Sequence, residues 1–222
     1  MKYDIQIGNY NFIYPFYQIC SIAFCYFFGI ILHLSFNIRF DIIGRIVSTI
    51  NALCISYYSI MFAFGYTDQE TFVGAYSLMV GYMIYDIFFM FKALNYKIKQ
   101  ALPYLIHHSV VVISQCTIRD FAYTYAIASL SEIPTIFLNI SWYLVKYNRR
   151  GLLLKYIGYI LGLSYFITRP LIFTCLNIYF YIISFTNIML VMLPLVTVLN
   201  YYWFFKLYMK IRTEIKYIDK IN

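Results

Sequence analysis

Ionisable side chains interrupt the apolar stretches of this sequence at four places. They are Asp86, the adjacent pair His107 and His108, Glu132, and Arg169. A charged side chain inside a bilayer is costly, so such residues are rare and commonly belong to a functional site. An imidazole oriented by a carboxylate can serve as a general base. We therefore predict that His107, His108 and Asp86 are the catalytic residues if the protein is an enzyme.

The depth of these side chains follows from the helical rise of about 1.5 Å per residue. Asp86 lies about 9 Å from Lys92, and His107 and His108 lie about 6–8 Å from Pro103, both counted from the same membrane face. The carboxylate and the imidazoles are thus predicted to share one layer. Three asparagines fall in that layer at depths of about 9–11 Å: Asn51, Asn139 and Asn200.

Glu132 and Arg169 lie deeper, about 21 and 25 Å from that face, so we expect them to pair. Each belongs to a stripe of polar or small residues at helical spacing, and such stripes enclose a polar interior. Packing is the alternative interpretation, because asparagines in membrane helices often only bond a neighbouring helix. We predict that five residues bind a substrate: Asn51, Glu132, Asn139, Arg169 and Asn200.

Seven apolar stretches make up most of the chain. Of its 222 residues, 63% are hydrophobic and 12% are charged, whereas soluble domains have roughly 25% charged residues. A membrane-spanning helix needs about 20 mostly apolar residues. The first stretch is longer than the roughly 7–15 residues of a signal peptide's apolar region, so we expect it to be retained. The predicted spans are Phe12–Leu34, Ile46–Phe64, Phe72–Phe91, Tyr104–Ile118, Phe121–Val145, Leu152–Thr174 and Ile188–Phe205.

The basic residues predict how these spans are oriented. With seven spans, fourteen of the 17 Lys and Arg residues fall on one side of the membrane, and only Lys2 and Arg119 fall on the other. Cytoplasmic loops carry the excess of Lys and Arg. We therefore expect a lumenal or extracellular N-terminus and a cytosolic C-terminus. The net charge of +8 is spread over these loops, so it does not predict a nucleic-acid partner.

The sequence offers no clear metal or cofactor site. All five cysteines lie in apolar stretches without a CxxC pair, which argues against a zinc site or a disulfide framework. His107 and His108 are consecutive, so their side chains point about 100° apart on a helix and are poorly placed to chelate one metal. We expect neither a metal nor a cofactor.

Five segments of the chain resemble, in the same order, the conserved stretches of the TLC-domain family. The resemblance runs from about residue 39 to residue 212. One departure is informative: ceramide synthases of this family carry a further His-Asp and a second Asp, and residues 126–132 here contain neither. The chain is therefore more similar to the small TLC-only members. The five segments are Gly81–Asp86, Pro103–His108, Ser131–Asn139, Phe166–Arg169, and Asn200–Trp203 followed by Lys206.

The resemblance implies an all-α integral membrane protein with about seven transmembrane helices, the last six forming a TLC-type helical barrel. We expect an N-terminal transmembrane helix in residues 1–38, a six-helix membrane domain in 39–212 and a basic cytosolic tail in 213–222. The tail would lie along anionic lipid headgroups. The family also implies the endoplasmic reticulum or a related endomembrane.

Three functions remain open at this point. The first is binding or handling of a membrane lipid that influences membrane lipid composition, with acyl transfer from an acyl-CoA to a sphingolipid-like acceptor as its chemistry. The second is a non-enzymatic membrane adaptor or cargo receptor. The third is a transporter, although the broken helices common in transporters are not evident in the sequence.

The predicted orientation can be tested with engineered glycosylation acceptors. Acceptors near Thr67–Glu70 and Thr186 should be modified, because these loops are predicted to be lumenal. Acceptors near Lys97 and Arg149 should stay unmodified, because basic loops remain cytosolic. Mobility shifts on a gel measure the outcome, and modification of both basic loops would contradict the seven-span topology.

Overall fold

The computed structural model describes residues 13–92, 97–183 and 187–221. Lys2 of the charge pattern and the acceptor position Thr186 lie outside these ranges, and the side chains of Lys92 and Lys220 are not described. All regular elements in the described residues are helical. Their α-helices are α1 (Ile13–Phe36), α2 (Phe40–Ala63), α3 (Gln69–Lys92), α4 (Ile98–Ser114), α5 (Ala122–Ser129), α6 (Ile133–Lys146), α7 (Leu152–Phe166), α8 (Ile172–Ile182) and α9 (Asn187–Ile221).

Five helical segments within the described ranges are long and apolar enough to cross a membrane. Two of the predicted spans are not among them. The fourth is a helix of 17 residues, and the fifth is divided into α5 and α6. The five are Tyr14–Phe36, Phe40–Ala63, Gln69–Phe91, Leu152–Ile182 and Leu190–Asp219.

The segments from α2 to α9 pack in a closed order. Helix α2 contacts α3, α3 contacts α4, and α4 contacts α9. Helix α9 packs on α7 and α8, α7 packs on α6, and both α5 and α6 return to α2. Helix α1 lies outside this order, against α3 and α2. The side chains between the helices therefore face a common interior.

Two irregular turns interrupt the helices that we predicted to be continuous. A 3-10 turn, Leu130–Glu132, separates α5 from α6, and a π turn, Ile167–Leu171, separates α7 from α8. The 3-10 turn is followed by Pro134, and the π turn contains Pro170. Each proline lacks an N–H, which breaks the helical hydrogen-bond ladder. The fifth and sixth predicted spans are therefore interrupted, and each break is a single turn.

Helix α9 continues through the segment that we predicted to be a separate tail. It has 35 residues, which corresponds to about 52 Å of helix and exceeds the roughly 30 Å of a bilayer core. Its last turns are tied to the start of α7 and the loop before it. Arg150 pairs with Glu214 at 3.3 Å, and Lys155 pairs with Asp219 at 2.6 Å.

Close packing of α1 on α3 depends on Gly81. A Cβ atom added there would lie 2.5 Å from the carbonyl oxygen of Gln18 and 2.8 Å from Cβ of Ser21. Gly74, two turns earlier on α3, faces the same helix with more room, since an added Cβ would lie 3.6 Å from the Tyr17 ring. Small residues permit this backbone approach between membrane helices.

We predict that Gly81→Ala destabilises the protein by about 1–3 kcal/mol, the usual cost of overpacking. The added methyl group meets backbone atoms that cannot rotate away. Gly74→Ala is the matched control and should leave the midpoint of thermal unfolding in detergent within error of wild type. Equal midpoints for the two variants would contradict the packing of α1 on α3 described above.

Candidate functional site

A cavity of about 470 Å³ lies between the helices from α2 to α9, within the roughly 300–1,000 Å³ typical of ligand sites. Its wall includes six of the eight predicted site residues. Five of them, all except Asp86, are each less than a tenth exposed. The six are Asp86, His107, His108, Glu132, Asn139 and Arg169.

Each histidine of the adjacent pair faces its own carboxylate. The Nε2 atom of His108 lies 3.7 Å from Oδ2 of Asp86, and Nε2 of His107 lies 4.0 Å from Oε1 of Glu132. Neither separation is short enough for a hydrogen bond. The Nδ1 atoms of both rings are buried and have no hydrogen-bond partner among the described residues. Each ring therefore keeps one nitrogen without a hydrogen-bond partner.

Arg169 joins the two irregular turns. Its Nε donates a hydrogen bond of 2.9 Å to the carbonyl oxygen of Ser131, and its Nη2 lies 3.4 Å from Oε1 of Glu132. In a 3-10 turn the Ser131 carbonyl would accept from residue 134, but Pro134 has no N–H. Arg169 therefore supplies the donor that the proline withholds, and Glu132 balances its charge. Thr135 completes the group by donating from Oγ1 to Oε2 of Glu132 at 3.1 Å.

Aromatic rings enclose the histidines and the guanidinium. The Trp203 ring centroid lies 5.6 Å from that of His107 and 5.5 Å from that of Tyr104. The guanidinium carbon of Arg169 lies 5.1 Å from the centroid of Tyr165 and 6.0 Å from that of Trp203. Such contacts stabilise a cation away from water.

The two separate layers predicted for the charged residues were wrong. His107 was expected about 15 Å nearer the membrane face than Glu132, yet the two side chains are 4.0 Å apart. The depth of His107 was counted from Pro103, which was taken as the helix start. Pro103 instead lies inside α4, which begins at Ile98. The structure thus forms one cluster that contains the histidines, both carboxylates and Arg169.

Arg45 is a wall residue that sequence reasoning missed. We assigned it to a basic loop, but α2 begins before it and carries it into the cavity wall. Its Nη1 donates a hydrogen bond of 2.8 Å to Oδ1 of Asn139, and its guanidinium carbon lies 5.2 Å from the centroid of Trp142. Asn139 donates in turn to Oγ1 of Thr49 at 2.9 Å. The regular spacing of Asp41, Arg45 and Ser48 was the available signal for this helix face.

Asn51 and Asn200 are outside the wall of this cavity. Asn51 lies one turn beyond Ser48, where the contribution of α2 ends. Asn200 is 1% exposed, and neither of its amide atoms has a partner among the described residues. It lies on α9 between Trp203 of this cavity and Val196 of a second, smaller one.

A smaller cavity of about 80 Å³ adjoins the first one. It lies beside the middle turns of α3, whereas the first cavity lies beside the last turns of that helix. Met83, His107 and Glu132 line both cavities. Side chains such as Val110 and Leu193 make the wall of the smaller cavity mostly apolar. The histidine cluster therefore lies where a cavity with charged and polar side chains in its wall meets an almost entirely apolar one.

Metal binding has no support in the part of the chain described. No group of three or more His, Cys, Asp or Glu side chains there is arranged to hold a metal ion. The residues brought together are suited instead to proton transfer and to hydrogen bonding.

We predict that Glu132→Gln and Arg169→Gln each destabilise the protein by about 3–5 kcal/mol, because each leaves an unbalanced buried charge. Replacement of both residues by apolar ones should recover part of the loss, since no charge then remains. Thermal unfolding in detergent measures all three variants. Unchanged midpoints for both single variants would contradict the pair.

Comparison with known proteins identifies the family. The family model described as the TLC domain matches residues 41–209, from the start of α2 to the middle of α9. Neither the search of curated proteins nor the search of solved structures finds a match. The matched range contains the whole histidine cluster and leaves out α1. With three quarters of its length matched and several helices apolar enough to cross a membrane, this integral membrane protein belongs to the TLC-domain family.

Proposed function

We propose that this protein binds a membrane lipid between α2 and α9 and acts on it through His107 and His108. The observation that carries the proposal is the meeting of two buried imidazoles, each facing a carboxylate, where a cavity with charged and polar side chains in its wall joins an almost entirely apolar one. An amphiphilic lipid has the same division into a polar and an apolar part. The outcome would be a change in membrane lipid composition.

The proposed arrangement in the membrane has seven spans. In addition to the five long segments, α4 together with the 3-10 turn Gln115–Thr117 that follows it, and α5 together with α6, would each cross the bilayer. The closed order of contacts from α2 to α9 supports a TLC-type barrel made of six of these spans. We propose residues 1–38 as a separate first helix, 39–212 as the barrel and 213–222 as the cytosolic end of α9. The endoplasmic reticulum is the proposed compartment.

Acyl transfer is the chemistry that suits this site. A carboxylate facing Nε2 favours the tautomer with its proton on that nitrogen, which leaves the Nδ1 lone pair to act as the base. Nδ1 would take the proton of an acceptor hydroxyl or amine as the acceptor attacks a thioester carbonyl. Collapse of the tetrahedral intermediate forms the ester or amide and releases the thiol, which regains the proton. An acyl-CoA would be the donor and a sphingoid-type lipid the acceptor.

Five polar residues are proposed to bind the lipid. Glu132, Asn139 and Arg169 line the cavity, and the amides of Asn51 and Asn200 lie one turn beyond it. Asn200 has both amide atoms unpaired in a nearly fully buried position. Such a group is costly unless it finds a partner, and a polar group of the bound lipid would supply one.

A membrane adaptor or cargo receptor is the second candidate. The observation in its favour is that Arg169 is satisfied within the chain by Ser131 and Glu132. Polar groups that satisfy one another can serve only to fix helix packing. In that case the histidines would have no substrate. A transporter function gains little support from the structure, because each helix break is a single turn.

The enzyme and the adaptor predict different results for His107→Asn and His108→Asn. For an enzyme, each variant should lower formation of the lipid product by about 10²–10⁴-fold, the usual contribution of a general base. Asp86→Asn should fall between these variants and wild type, because it disturbs orientation and leaves the base present. Lipidomics of cells that express each variant at matched levels measures the product.

His33→Asn is the matched control for these variants. His33 lies at the α1–α2 turn, where its Nδ1 is 3.0 Å from the carbonyl oxygen of Ile38, and it does not line either cavity. It should leave the lipid profile unchanged, and size-exclusion profiles should show that all variants fold. If wild type alters the profile relative to empty vector and both cavity variants do so equally, the histidines are not catalytic.

A further inference from the structure

Charged side chains are concentrated at one end of the larger cavity. This end, which we call the mouth, is formed by the first turns of α2 and the later turns of α9. Its charged wall residues are Asp41, Arg45, Lys206, Lys210 and Glu214.

Both carboxylates of the mouth are neutralised by cations from outside the cavity wall. Oδ2 of Asp41 lies 2.7 Å from Nζ of Lys146, and Oε2 of Glu214 lies 3.3 Å from Nε of Arg150. Neither Lys146 nor Arg150 belongs to the wall. The two carboxylates are therefore not available to balance the cations of the mouth.

The three cations of the mouth have no such partner. Within the described ranges, no carboxylate oxygen lies within 4.0 Å of Arg45, Lys206 or Lys210. One N–H of Arg45 is used by Asn139, and a guanidinium has five donors. Nζ of Lys206 lies 4.4 Å from the ring centroid of Tyr202. The mouth thus has a surplus of positive charge and of free donors.

We propose that Arg45, Lys206 and Lys210 form a subsite for a phosphate group at the mouth of the cavity. A guanidinium can hold two phosphate oxygens at once, while lysines act as mobile point charges. The proposal rests on lipid binding in the cavity and adds the class of headgroup. A phosphate ester held at the mouth leaves its apolar chain directed toward the histidine cluster.

The same helix offers a matched control for the two lysines. Arg212 and Lys216 are exposed, are also four residues apart, and do not line the cavity. Removal of either pair lowers the net charge by the same amount. General attraction to an anionic surface would respond equally to both changes, whereas a subsite would respond to only one.

The test measures the affinity of the purified full-length protein in mild detergent for dioleoyl phosphatidic acid and for dioleoylglycerol, which have the same chains. For K206Q/K210Q, we expect the dissociation constant for phosphatidic acid to rise at least about tenfold, or about 1.4 kcal/mol. Its affinity for dioleoylglycerol should stay within twofold of wild type. R212Q/K216Q should bind both lipids with the affinity of wild type. R45K should weaken the binding of phosphatidic acid and leave the binding of dioleoylglycerol unchanged.

Two results would overturn the subsite. One is equal affinity of wild type for the two lipids, which would leave lipid binding intact and remove only the headgroup preference. The other is an equal loss in both double variants. Failure of both lipids to bind would instead contradict the lipid-binding function itself, and with it the subsite.

A competition arm identifies the source of the phosphate. Coenzyme A carries phosphates without a lipid chain. If it displaces phosphatidic acid from wild type and not from K206Q/K210Q, the subsite is supported and takes the phosphates of a soluble acyl carrier. If it does not compete while the lipid preference holds, the subsite is supported as one for a lipid headgroup.

Discussion

The buried charge of Arg169 is the constraint around which the interior is built. A guanidinium that is 7% exposed inside an apolar bundle must have its charge balanced and its donors occupied. Glu132 supplies the charge, and the Ser131 carbonyl accepts from Nε. Both acceptors are on the 3-10 turn, and Arg169 itself is on the π turn. The two breaks in the helical ladder therefore compensate for each other, and the ring of helices closes at this point.

This constraint makes the two histidines unequal. Oε1 of Glu132 faces both Arg169 and His107, and Oε2 accepts from Thr135. The carboxylate that faces His107 is therefore already neutralised. Asp86 has no Lys or Arg within 4.0 Å in the described part of the chain, and its nearest basic group is His108. Arg45 interacts with Asp86 only from beyond that distance. The less compensated of the two carboxylates orients an imidazole more strongly, so His108 is the better placed of the two to act as a base.

Sequence reasoning located the cluster but not its depth or its mouth. Asp86, the histidines, Glu132 and Arg169 were recognised because ionisable side chains are costly inside a bilayer. Five of the spans were correctly predicted as long apolar helices. The close approach of the histidines to Glu132 was missed because Pro103 was taken as the start of a helix. A proline can lie inside a membrane helix when neighbouring groups satisfy the backbone groups that it leaves unpaired. The course of α9 beyond Lys206 was missed for a different reason. Its last turns form ion pairs with α7 and with the loop before it, and pairing between distant segments leaves no local pattern.

The position of the histidines between the two cavities links the fold to the proposed chemistry. Toward the mouth the wall is polar and charged, and beyond His107 and Glu132 it is mostly apolar. A lipid whose headgroup prefers the first space and whose chain prefers the second has its polar–apolar boundary at the imidazoles. That boundary is where the hydroxyl, amine or ester of most membrane lipids lies. The same arrangement explains why α1 can pack outside the ring: it borders the interior through α2 and α3 and supplies no wall residue.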